Sequence, residues 1–110
     1  MNHEISDLIE SALANELEQL RDAVKKLVDA LSHEELWKKP LDPGNSIGHL
    51  ILHLTGSLNH FVGAHLGKTG YVRNREREFT ETNLPKKEAL LKGLDDAVAL
   101  YRRVVTGLSA

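Results

Sequence analysis

The chain contains no cysteine. That excludes disulfides, thiolate metal ligands and a cysteine nucleophile drawn from the chain itself. It also lacks any apolar run approaching the roughly 20 residues that cross a bilayer. Its start, MNHEISDLIE, is acidic and amphipathic, unlike a secretory signal. No HExxH, phosphate loop, dinucleotide-binding fingerprint or serine elbow is present. Net charge is −2, so no broad basic field draws the chain to nucleic acid or to an acidic membrane. A cytoplasmic protein that binds neither nucleic acid nor membrane is the expectation by elimination. The first 39 residues have neither proline nor glycine, so nothing there interrupts a helix.

What is present reads as helix. The 110 residues are 41% hydrophobic and 27% charged, the size and balance of one globular domain spanning 1–110. Ile5, Leu8, Ile9, Leu13, Leu17, Leu20, Val24, Leu27, Val28 and Leu31 recur at three- and four-residue steps, predicting one long amphipathic helix. Ser32 and Glu35 form a capping-box pattern that starts a short helical turn. Pro40 ends it, and Leu41 to Asn45 reads as a turn. A second helix begins at Asn45 or Ser46 and runs to about Leu66, with Gly67 as its C-cap. Residues 67–83 carry dense alternating charge and read as a connecting loop, anchored by Phe79. A third helix, capped by Thr82 or Asn83 with Pro85 in its first turn, runs to about Leu108. The expected fold is all-α: an antiparallel up-down bundle with three main helices, completed by dimerisation.

Three of the six histidines fall in NSIGHLILHLTGSLNH. At about 100° per residue, His49, His53 and His60 lie within roughly 40° of one another, beside Gly56 and away from the leucine stripe. Imidazoles at i and i+4 can share a divalent metal, so His49 and His53 are candidate ligands. A rise of about 1.5 Å per residue puts His60 roughly 10 Å beyond His53, which casts it as a pocket or second-layer group. Hydrogen-bonded edge histidines are the alternative. Arg73 and Arg75 in RNREREF are further pocket candidates, since arginine forks onto carboxylates and phosphates. A loop held together by ion pairs is the plainer reading. Trp37 is expected to cover the bundle end against the first helix, and Asp95 and Asp96 to face solvent.

ELWKKP, PGNSIGHLILHLTGSLNHFV and VRNREREF together resemble the DinB/YfiT-like superfamily, from about Leu31 to Leu108. The resemblance implies a four-helix bundle, often dimeric, related to divalent-metal-dependent enzymes. Some of these are S-transferases or hydrolase-like proteins that use low-molecular-weight thiols. His53, followed by Leu54, Thr55 and Gly56, matches the family's second-helix ligand; His49 matches a histidine of the nearest subgroup. The metal implied is Zn, Ni, Fe or Mn. The family's other two histidines belong to a fourth helix, and the sequence stops at GLSA before reaching it, so the chain reads as truncated relative to the family. The implied partners are a second copy of the chain and a small-molecule or thiol ligand. The alternative is a non-catalytic helical module that self-associates and has lost the metal site.

Overall fold

The computed structural model describes residues 3–39, 45–80 and 84–107, and every regular element among them is a helix. α1 spans His3–Asp29, α2 His33–Trp37 and α3 Ile47–Ser57. The helix of α3 continues without a break as a π-helical segment, Leu58–Leu66. α4 spans Arg75–Thr80 and α5 Lys87–Val105. The expected turn at Leu41 to Asn45 and the expected caps Thr82 and Asn83 lie outside the described residues, except for Asn45. The Phe79 side chain lies outside them as well. Lys86 is the N-cap of α5, with no side-chain capping bond, and Pro85 stands just before it.

Two local signals in the sequence act as expected. The Ser32 Oγ accepts from the Glu35 N–H at 3.1 Å, and Glu35 Oε1 accepts from the Ser32 N–H at 2.9 Å. This reciprocal pair satisfies two amides at the start of α2. Ser46 caps α3, its Oγ accepting from the His49 N–H at 3.0 Å. α3 then places Ile51 in the core, beside Val28 of α1, Leu36 and Trp37 of α2, and Leu90, Leu91, Leu94 and Val98 of α5. Trp37 packs edge-on to the His49 ring, with centroids 5.0 Å apart. The approach is close enough that a Cβ on Gly48 would sit 2.6 Å from the indole.

α1 lies along α5, and ion pairs between them show its direction. Lys25 and Arg21 reach Asp95 at 3.2 and 3.6 Å, while Arg102 forks onto Glu18 at 2.7 and 3.0 Å. Later residues of α5 thus meet earlier residues of α1, so the two helices run in opposite directions. Asp95, expected to face solvent, instead faces α1 between two cations. Asp96 is exposed and pairs only within its own helix, with Lys92 at 2.8 Å.

The π-helical segment departs from the expected uniform helix. The Gly67 N–H donates to Val62 O at 2.8 Å, a five-residue step. Residues five apart would be about 140° apart on an α-helix. Here His60 and His65 are ring neighbours, 4.6 Å between centroids.

Two predictions follow from this packing. Leu94 is fully buried at the core centre, so Leu94→Ala is expected to cost about 3 kcal/mol in chemical denaturation. Glu18, hydrogen-bonded by Arg102, and Glu35, hydrogen-bonded by Ser32, both have pKa values held below the usual carboxylate value. Their contribution is present above the unfolded carboxylate pKa and lost as pH falls through the folded one. The midpoint of thermal unfolding is therefore expected to drop on acidification below about pH 5, and a rise there would contradict the ion-pair account.

Candidate functional site

The histidines of the second helix do not share one environment. His49 is buried, with Nδ1 2.6 Å from Ser46 Oγ and its ring against Trp37. Its surroundings belong to the helix start. His60 turns towards Phe61 and His65, with centroids 4.7 and 4.6 Å away. His53 alone joins a buried polar cluster. The sequence proposed a shared face for the three because it assumed one period throughout; the cap at Ser46 and the change to π-helix after Ser57 separate them.

The cluster is built on Glu78 of α4. Its side chain is only 8% exposed. Arg73 forks onto it, Nε to Oε2 at 2.9 Å and Nη2 to Oε1 at 2.9 Å. His53 Nδ1 lies 3.1 Å from the same Oε1. Arg73 Nη2 also donates to Ser57 Oγ at 3.1 Å and lies 3.3 Å from His53 Nδ1. The guanidinium sits 5.6 Å from the centroid of the Phe61 ring, within cation–π range.

A missing side chain makes room for the carboxylate. A Cβ on Gly56 would fall 1.8 Å from Glu78 Oε2. Thus Gly56, one turn after His53, lets α4 press its carboxylate onto the backbone of α3. Burial by itself would raise the Glu78 pKa. Hydrogen bonds from Arg73 and His53, and their charges, outweigh it and hold the pKa below the ordinary value. Arg73 is correspondingly raised, chiefly by its bond to Glu78.

Arg73 therefore enters the site, while Arg75 stands exposed at the start of α4. Glu78 is the member that sequence reasoning missed. It sits 25 residues from His53 in a segment read as loop. The available signal was the short polar helix REREFT, which α4 turns out to be.

Beside the cluster is an open surface pocket of about 430 Å³, which shares Gly56 and Glu78 with it and is lined also by Leu52, Tyr71, Val72 and Pro85. Its size suits a small molecule. Among the described residues, no group of three or more His, Asp or Glu side chains converges to hold a metal ion. Tetrahedral transition-metal sites take three protein donors or more. His53 is a suitable single donor, but the described residues of this chain do not fit a complete coordination sphere.

A family model of the DinB superfamily matches residues 16–110, and the chain belongs to that family. The match begins upstream of the resemblance read from the motifs, taking in much of α1. No curated protein and no solved structure matches the chain. No helix among the described residues is long and apolar enough to cross a membrane.

Removing one partner of the buried pair strands the other. Arg73→Ala is expected to destabilise the fold by about 3 kcal/mol. Gly56→Ala is expected to expel the Glu78 carboxylate and to lower the thermal midpoint. A wild-type midpoint for Gly56→Ala would show that Glu78 does not rest there.

Proposed function

We propose that this chain is a divalent-metal-dependent DinB-type protein in which His53 is a metal ligand. It would act on a small molecule in thiol-dependent transfer or hydrolysis, as a cytoplasmic homodimer. The observation that supports this most is the position of His53. It falls at the ligand position of the DinB resemblance, in a chain that belongs to the family, and its Nδ1 is tied to a buried carboxylate. Histidine ligands are commonly held in this way. The ring stays about one-third exposed, as a donor to an incoming ion must.

Zn, Ni, Fe or Mn are the ions considered, and such an ion would supply acidity, lowering the pKa of a coordinated thiol or water. The chain's residues do the rest. Glu78 and Arg73 hold His53, and the adjoining cavity receives the substrate. His49, packed against Trp37, and Arg75, exposed at the start of α4, are given no part in it, and His60 stands further along the same helix.

The remaining donors would come from outside the described residues. An up-down bundle completed by a second copy is consistent with the surface of α1. There Ile9, Leu13, Leu20 and Leu27 form a stripe along the helix, each half-exposed or more. Stripes of this kind are commonly buried by association.

Metal content tests the reading. Purified protein equilibrated with micromolar Zn, Ni, Fe or Mn is expected to retain at least one of them by mass spectrometry, and His53→Ala to lose it. Absence of every ion from the wild type would overturn the metal reading. Sedimentation is expected to show dimers at tens of micromolar, and Leu13→Asp with Leu20→Asp to give monomers.

A further inference from the structure

The exposed leucines of α1 have a spacing of their own. Leu13, Leu20 and Leu27 stand seven residues apart, and each is half-exposed or more. Seven-residue steps drift only about 20° per heptad around a helix, so the three share one face along about 21 Å of α1. Leucine at this spacing forms the seam of a two-stranded coiled coil. Beside the seam is an open groove of about 490 Å³, lined by Leu13, Leu17 and Leu20 together with Leu58 and Tyr101. Seam and groove thus lie on one face of the same chain, as an isologous two-fold contact needs. Charge then selects a direction. Glu16 and Lys26 are exposed on the same flank of the seam. It is the flank opposite Arg21 and Lys25, which reach α5.

We propose that two copies of this chain dock α1 against α1 in antiparallel register, with Leu20 beside the two-fold axis, Leu13 opposite Leu27 of the second copy, and Glu16 beside Lys26 of the second copy. This geometry rests on the homodimer reading given above and gives it a face, a direction and a register. Leu20 and Leu27 of each copy come over the groove of the other, so each seam covers the other's groove. A parallel pairing sets Glu16 against Glu16 and Lys26 against Lys26. The antiparallel one turns the same four groups into two opposite-charge pairs. Pairs on an exposed flank add little affinity, but the like-charge alternative disfavours the wrong orientation. The leucines therefore supply the association, and Glu16 and Lys26 choose its direction.

Because the chain has no cysteine, single introduced cysteines report which residues meet. Under mild oxidation at tens of micromolar, Leu20→Cys is expected to form a disulfide with its own copy. Leu13→Cys mixed with Leu27→Cys is expected to join the two variants to each other. Leu13→Cys joining itself, and Leu27→Cys joining itself, would mark a parallel pair and overturn the proposal. Charge exchange gives a second reading with the seam intact. Glu16→Lys and Lys26→Glu are each expected to raise the dimer dissociation constant roughly tenfold in sedimentation, and the double exchange to restore it. Both positions are exposed, so circular dichroism is expected to show unchanged helix content. Single exchanges that leave a dimer as tight as wild type would also overturn the proposal. The two readings fail separately. A dimer that forms none of these cross-links keeps the homodimer reading and sinks α1 as its contact. A wild type that stays monomeric up to hundreds of micromolar sinks both.

Discussion

One buried carboxylate, that of Glu78, organises the meeting of α3 and α4. Glu78 is taken out of water, which disfavours its charge, and the structure offsets that with a bidentate guanidinium and an imidazole. The arrangement leaves little freedom elsewhere. Gly56 has to lack a side chain, because the carboxylate occupies that space. The chain from Gly67 to Asn74 has to bring Arg73 back across α3. It does so through a turn in which Lys68 and Gly70 take positive φ, 55° and 81°. α4 then docks on α3 despite being only six residues long and strongly charged. In isolation such a helix would not persist; its buried ion pair is what gives it a fixed place.

The rest of the fold carries α3 to that meeting. Ser46 starts the helix, Trp37 packs over its first turn against Gly48, and Ile51 anchors it to α5. α5 is held in turn to α1 by Asp95 and Arg102, two ion-paired residues seven apart that fix the mutual register. Each pair is about one-third exposed and contributes modestly to stability. Their importance is in alignment: apolar stripes alone would tolerate a shift of one helix along the other.

Much of this was readable from local pattern. The α1 periodicity, the Ser32–Glu35 box and the Ser46 cap all depend on residues within a few positions of one another, and these set the helices. The site depended on longer reach. His53 was singled out by its motif and Arg73 by its forked geometry, but the carboxylate that joins them is 25 residues from one and five from the other. Alternating charge in RNREREF read as a loop held by ion pairs, but nothing local shows which arginine and glutamate pair or that one glutamate turns inward towards His53. The split of the histidines was hidden for another reason. A helical wheel assumes a constant period, and the π-helical segment after Ser57 breaks that assumption at His60. Asp95 likewise showed no local sign that α1 would lie over it.

For function, the consequence is a division of labour along one helix. The start of α3 uses its histidine to pack, the π-helical end uses His60 and His65 against Phe61, and the middle sets the His53 ring beside the buried Glu78 carboxylate. The account stands on the Arg73–Glu78–His53 cluster, and the most direct measurement is a crystal structure of the protein equilibrated with zinc. It should show Glu78 clamped by Arg73 and within hydrogen-bond distance of His53. A Glu78 side chain turned to solvent, with Arg73 and His53 apart from it, would contradict it.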